Sequence, residues 1–333
     1  MREREDVFFP RAALQSSPET GEKRKNRKRT EKNILLRKES QRMYSYAVSI
    51  PDTMVLRPDW RPALENAKIK RIELGGRGDV TPEEVRNQLD LLLNLRRSCG
   101  LEIASIHIPF FPFEKWTLSS TDEAKRKEGV RKILEFTEKY RALEAKNYTL
   151  HGSGEPLQDA ERGDILRSLR RSLEDLLPYF EKIGGSLNLE LLPRTCIGHS
   201  AEELEEAVGG FPEKVMGICL DVNHLCGAPE KVPSLISRLG PRIRAFHISD
   251  YDGVDECHWY PGLGVLDWRA IMKEIRALDH KTVLIFETSS FVRPPDWVGR
   301  TSDASILFRN AANNAFFLEN ADEIVRRQEE FRP

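Results

Sequence analysis

The chain has 333 residues, 39% hydrophobic and 32% charged, with a formal net charge of −1. That length suits one large domain, and an eight-stranded α/β barrel needs about 250 residues. No window holds the roughly 18 uninterrupted apolar residues of a membrane span, the N-terminus lacks the apolar stretch of a secretory signal, and Cys99, Cys196, Cys219, Cys226 and Cys257 show no CxxC spacing, which argues against a disulfide framework or zinc–thiolate cluster. Reduced thiols in the cytoplasm are the expectation.

Charge is distributed unevenly. Residues 1–42 hold thirteen Lys/Arg against seven Asp/Glu, which leaves −7 on residues 43–333. The run Lys23-Arg24-Lys25-Asn26-Arg27-Lys28-Arg29 has the composition of a segment that meets nucleic acid or anionic lipid. Met43 stands directly before the first strand-like run. Residues 1–42 are therefore read as a disordered basic extension, or as translation from upstream of the working start.

From residue 44 onward, short β-rich runs alternate with charged, helix-periodic stretches. The runs are 44–50, 69–74, 103–109, 147–151, 187–192, 215–221, 243–249 and 282–287. Helical patterns cover 82–98, 121–143, 164–182, 201–208, 232–238 and 267–278. Thr81-Pro82-Glu83-Glu84 and Ser200-Ala201-Glu202-Glu203 each put a capping hydroxyl before acidic residues. Eight alternations within 44–290 predict a closed parallel (β/α)8 barrel, a single TIM-barrel domain over 43–333. No GxGxxG or GxxxxGK[ST] loop follows the first strand, so an open dinucleotide-binding or P-loop sheet loses its main support. Residues 291–333, with Arg293-Pro294-Pro295 and an amphipathic pattern over 311–327, either complete the last helix or form a subunit contact.

Strand parity carries more information than strand count, because alternate side chains of a barrel strand face the helices and the interior. Leu187, Leu189 and Leu191 oppose Asn188 and Glu190, and Met216, Ile218 and Leu220 oppose Gly217, Cys219 and Asp221. Phe246 and Ile248 oppose Ala245 and His247, while Leu284 and Phe286 oppose Val283, Ile285 and Glu287. Tyr148 and Leu150 oppose Thr149 and His151, and Ile106 and Ile108 oppose Ser105 and His107. The bulky set fits the helix layer each time, and the other set ends in an ionisable group at the C-terminal end of its strand, where barrel active sites lie. Six strand ends thus aim His107, His151, Glu190, Asp221, His247 and Glu287 into one mouth. Three carboxylates there would repel one another and resist desolvation without a cation. A divalent ion such as Mn²⁺, Mg²⁺, Co²⁺ or Zn²⁺ suits the mixed oxygen and nitrogen donors.

At these residues the chain resembles the xylose isomerase-like sugar isomerases and epimerases, which share a barrel type with metal-dependent apurinic-site endonucleases. The carriers are Ser105-Ile106-His107-Ile108-Pro109, Thr149-Leu150-His151-Gly152, Asn188-Leu189-Glu190, Leu220-Asp221-Val222-Asn223-His224 and Phe246-His247-Ile248-Ser249-Asp250. Asp255-Glu256-Cys257-His258, Pro261-Gly262-Leu263-Gly264, Asp267-Trp268 and Phe286-Glu287 complete the set. The resemblance implies one divalent metal on Glu190, Asp221, His247 and Glu287, with Glu190 and Glu287 as the acid/base pair. His224, His107, His151, Asp255 and His258 would contact substrate, and a second metal is compatible with His224. The implied activity is isomerisation or epimerisation of a small sugar or sugar phosphate. It would run by proton abstraction next to a carbonyl through a metal-stabilised enediolate.

Each position also has a plainer reading. Glu190 and Glu287 could pair with Lys or Arg, Asp221 and His247 could form a hydrogen-bonded core pair, and His224 could cap a loop. His107 and His151 either line the pocket or hold extra metals as in the endonucleases. Asp255 and His258 depart from the endonucleases' Asp-x-His spacing; Glu256-Cys257-His258 restores the spacing and changes the acid. Phe110, Phe111, Phe113 and Trp116 form a lid or pack a loop, and Gly152-Ser153-Gly154 is a phosphate cradle or a turn. His199 and His280 are expected at the surface. An apurinic-site phosphodiesterase and a sugar-acid dehydratase are the alternative functions. The former needs a basic face, and the barrel portion carries −7, so a small sugar is the favoured partner over nucleic acid. No membrane association is expected, and a homo-oligomer is compatible with the chain.

Overall fold

Eight parallel strands pair in sequence order and close into a barrel, with β8 hydrogen-bonded back to β1. The structure, a computed structural model, describes residues 44–76, 80–288 and 304–330, with side chains described as far as 324. The basic segment 1–42 and the stretch containing Arg293-Pro294-Pro295 lie outside the described residues. The strands are β1 (Tyr44–Pro51), β2 (Arg71–Gly75), β3 (Glu102–His107), β4 (Asn147–Leu150), β5 (Ser186–Glu190), β6 (Met216–Asp221), β7 (Ile243–Ile248) and β8 (Thr282–Phe286). The helices are α1 (Trp60–Asn66), α2 (Pro82–Cys99), α3 (Phe113–Trp116), α4 (Glu123–Tyr140), α5 (Arg162–Ile183), α6 (Ala201–Val208), α7 (Val232–Leu239), α8 (Trp268–Ala277) and α9 (Ala304–Glu330). No helix among the described residues is long and apolar enough to cross a membrane.

Local signals set the helix ends. Thr81 and Glu84 form a reciprocal capping box at α2, which Gly100 ends in the left-handed conformation at φ 74°. The Ser200 hydroxyl accepts from the Glu203 N–H at α6, and Asp267 accepts from the Arg269 and Ala270 N–H groups at α8. The pattern over 121–143 resolves into α4, capped by Asp122, followed by a 3-10 turn at Arg141–Leu143. The C-terminal segment finishes the barrel wall. Along α9, Ala304, Leu307, Phe308, Ala311, Leu318 and Ala321 are buried, Phe308 meets Trp60 of α1 edge to face, and the Leu318 carbonyl accepts from Arg276 of α8.

The two faces of the strands sort into two apolar clusters. Leu187, Leu189, Met216, Ile218, Leu220, Phe246, Ile248, Leu284 and Phe286 belong to the large layer shared with the helices. Ala47, Ala104, Cys219, Ala245, Val283 and Ile285 form a separate inner cluster. Small side chains prevail there because an eight-stranded barrel leaves an interior only wide enough for side chains to fill. At Gly217 any Cβ would lie 2.6 Å from Asn188 Oδ1.

Strict alternation fails at two places. The β2–β3 register shifts between Ile72 and Glu73, and the β6–β7 register shifts between Ile218 and Cys219. Ile103 and Ile106 therefore both reach the helix layer, as do Ile243 and Phe246, although each pair is three positions apart. Beyond the bulge in β7, Asp221 pairs with His247.

Truncating the outer layer should cost far more than removing a cap. Phe246→Ala is expected to lose about 3–5 kcal/mol, against about 1 kcal/mol for Thr81→Ala. Urea titration of the two variants measures both.

Candidate metal centre

The sheet register delivers four donors to one rim. Glu190 and Asp221 end β5 and β6, His247 is the penultimate residue of β7, and Glu287 follows β8. One ligand atom from each of these residues lies within 4.8 Å of all the others. His247 Nδ1 is 2.9 Å from Glu287 Oε2, 3.0 Å from Glu190 Oε1 and 3.8 Å from Asp221 Oδ2. Glu190, Asp221 and His247 are buried, while the Glu287 side chain keeps 30% exposure.

Two histidine groups flank this centre. His107 Nε2 and His151 Nε2 each lie 3.1 Å from Glu190 Oε2, so the two oxygens of Glu190 serve different neighbours. On the other side, His224 Nε2 lies 3.4 Å from Asp221 Oδ2 and 3.0 Å from Glu256 Oε2. The His258 ring meets His224 edge to face at 5.7 Å. Asp221, His224 and His258 form a second group with donor atoms within 4.8 Å of one another.

Backbone carbonyls decide which nitrogen each flanking imidazole presents. A carbonyl can only accept, so the ring nitrogen facing it carries the proton. Nδ1–H of His107 donates to Ile108 O at 3.0 Å, that of His224 to Leu191 O at 2.8 Å, and that of His258 to Glu287 O at 3.1 Å. All three therefore offer Nε2 to the mouth. His258 adopts this pose at φ 51°, a conformation uncommon outside glycine.

The electrostatics are those of a cluster short of positive charge. Burial pushes the Glu190 carboxyl upward, but the imidazoles of His247, His151 and His107 outweigh it and hold the group well below the usual range. Burial prevails at Asp221, raising it to about 6 against the pull of His224 and His258. Burial opposes charge on His107 and His224, yet Glu190 lifts the former to about 9 and Asp221 with Glu256 lifts the latter to about 10. Burial lowers His151, so the two imidazoles on Glu190 Oε2 do not both take a proton readily. Protons on imidazoles thus do part of the compensation that a cation could do.

The donor set fits a divalent cation. Three carboxylates and one imidazole give the oxygen-rich mixed shell that Mg²⁺, Mn²⁺, Co²⁺ and Zn²⁺ accept. Asp221 Oδ2 is buried and makes no hydrogen bond, although His224 Nε2 lies 3.4 Å away, and leaving a buried polar atom without a hydrogen bond is costly.

The structure brings His107, His151, Glu190, Asp221, His224, His247, His258 and Glu287 together. Asp255 stands apart: its side chain is 58% exposed and pairs with Arg194 at 2.6 Å. Glu256, its neighbour, turns inward to His224 instead. Alternation could not find this, because both residues sit in a loop. Glu73 was also missed, although parity over 69–74 would have flagged it opposite Ile72 and Leu74. It is fully buried and lies 3.2 Å from His247 Nε2.

The aromatic segment after β3 divides its roles. Trp116 is buried against Phe136, Phe110 stacks on His151 at 3.9 Å, and Phe111 is exposed. Gly152-Ser153-Gly154 is occupied internally: the Ser153 hydroxyl accepts from Ile197 N–H and donates to Gly154 O, and a Cβ at Gly154 would strike Phe113. His199 contacts Arg162 and Glu203, and His280 bonds Ile243 O, both away from the centre.

Comparison with known proteins agrees with this architecture. Fructoselysine 3-epimerase of Escherichia coli O157:H7 is 28% identical over 156 residues, 46% of this chain and 56% of that enzyme. The matches span 56–68% of the length of the curated relatives. A crystal structure of a D-tagatose 3-epimerase-like protein superposes with a TM-score of 0.66 at 21% identity, covering 85% of this chain and 99% of that one. A structure of IOLI protein with a bound zinc atom gives 0.63 at 16% identity, covering 83% and 98%. A family model described as xylose isomerase-like TIM barrel matches residues 64–306, so the chain belongs to the xylose isomerase-like TIM barrel family.

Proposed function

We propose that the protein is a divalent-metal-dependent epimerase or isomerase that moves a proton next to the carbonyl of a small sugar or sugar phosphate. The observation that carries this reading is the convergence of Glu190, Asp221, His247 and Glu287 within 4.8 Å at the barrel mouth. The likeness to fructoselysine 3-epimerase supports it independently. Glu190, Asp221, His247 and Glu287 would hold a Mn²⁺, Mg²⁺, Co²⁺ or Zn²⁺ ion, which would supply Lewis-acid stabilisation of negative charge developing on the substrate.

The chain's own groups supply the proton transfers. Glu190 and Glu287 reach the mouth from different strands, so one removes the proton α to the carbonyl and the other returns it. His107 and His151 hold Glu190 Oε2, which fixes the orientation of the carboxylate. Glu287 is the most exposed of the four and the readiest to meet an incoming substrate. His224 and His258 present Nε2 toward the same mouth and are suited to substrate hydroxyls. Phe110 covers His151 and keeps water from one side.

Phosphodiester hydrolysis at abasic sites is the second reading. The extra imidazoles and Glu256 favour it, since they add donors beyond one ion's needs. The −7 charge of residues 43–333 opposes it, because backbone binding needs neutralising cations. A sugar-acid dehydratase would use the same four donors.

Glu190→Gln and Glu287→Gln should each fold normally and lower turnover by at least about 10²–10⁴-fold. Deuterium uptake from D₂O across a ketose panel reads this whatever the product, and a near-normal rate in either variant rejects the acid/base pair. Chelation should abolish the exchange in the wild-type protein and added Mn²⁺ should restore it; exchange that persists after complete metal removal counts against the metal role. Incubation with an abasic-site duplex at low salt should leave the duplex intact, and strand cleavage would promote the second reading.

A further inference from the structure

Among the centre's histidines, His247 is held differently. His107, His224 and His258 each anchor one ring nitrogen on a neutral backbone carbonyl. His247 turns Nδ1 toward Glu190, Asp221 and Glu287, while its Nε2 faces a carboxylate, Glu73, at 3.2 Å and 3.4 Å from the two oxygens. Glu73 comes from β2, separated from β7 around the barrel by β8 and β1, and both residues are fully buried. The Ser49 hydroxyl of β1 donates to Glu73 Oε1 at 3.1 Å and holds that carboxylate in turn.

Burying a carboxylate in the barrel interior is costly, and a structural role would be met by any neutral acceptor. A carboxylate facing Nε2, where His107, His224 and His258 each set a ring nitrogen on a backbone carbonyl, marks His247 out on geometry alone.

We propose that Glu73 is a positioning residue for the metal centre. It accepts the Nε2–H of His247, locks the ring so that Nδ1 is the ligand atom, and through its charge makes that nitrogen a stronger donor than a carbonyl-anchored imidazole. The inference rests on the metal-centre reading. It concerns the chain Ser49–Glu73–His247, which spans β1, β2 and β7. Carboxylates that orient a ligating imidazole in this way typically change metal affinity 10–100-fold when removed.

Titration of the full-length chain with Co²⁺, by calorimetry and by the visible ligand-field bands, tests it without any substrate. Glu73→Gln is nearly isosteric, keeps an acceptor for Nε2–H and removes only the charge. Its Co²⁺ Kd should rise about tenfold and its bands should shift. Glu73→Ala also removes the acceptor, so its affinity should fall further, and the ¹⁵N signals of His247 in the Zn²⁺-loaded protein should lose the single Nε2–H tautomer. If the Gln variant keeps the wild-type bands and a Kd within about threefold, Glu73 is only a structural partner and the proposal is overturned; the Gln result decides alone should the Ala variant not fold. Should the wild type itself take up no Co²⁺, the metal-centre reading fails first and this inference with it.

Discussion

Everything at the barrel mouth answers to one constraint: carboxylates gathered in a buried space need positive charge beside them. Glu73, Glu190 and Asp221 are buried, and Glu287 shares their neighbourhood. The cluster meets the demand with imidazoles, each placed beside at least one acid. The compensation is incomplete, as the raised Asp221 carboxyl and its unbonded Oδ2 record. A divalent ion would complete it, and this charge balance is what supports the metal reading.

The fold makes this gathering affordable through division of labour. Packing energy comes from the outer layer of Leu, Ile, Met and Phe between strands and helices. The inner cluster of Ala, Cys, Val and Ile is small and contributes space more than stability. Polar side chains can then enter the interior without removing much apolar burial. The two bulges refine the arrangement, keeping His107 and His247 inward while extra outer-layer residues remain packed.

Loops add a second level of order. Arg194, at φ 53°, reaches Asp255 and Glu256 after β7 and Glu155 after β4. These pairs are partly exposed, so each is worth little by itself. Their effect is geometric: Glu256 is held where its other oxygen meets His224 Nε2. A loop arginine thereby influences which acid joins the histidine flank.

Period-two alternation carried the barrel and most of its centre. Glu190, Asp221, His247 and Glu287 could be read from residue order because each lies at or beside a strand end, opposite a bulky outer set. The same reasoning extended to β2 would have reached Glu73. Asp255 against Glu256 was a different kind of question. Two adjacent loop residues have no periodic constraint, and the long-range pairing with Arg194 and His224 chose between them. The bulges in β3 and β7, the carbonyl that each imidazole faces, and the split duties of Glu190's two oxygens were likewise settled by tertiary structure. Apart from His107, whose carbonyl partner is its neighbour Ile108, these depend on atoms brought together from segments separated in the chain, while alternation records only which side of its own strand a residue takes.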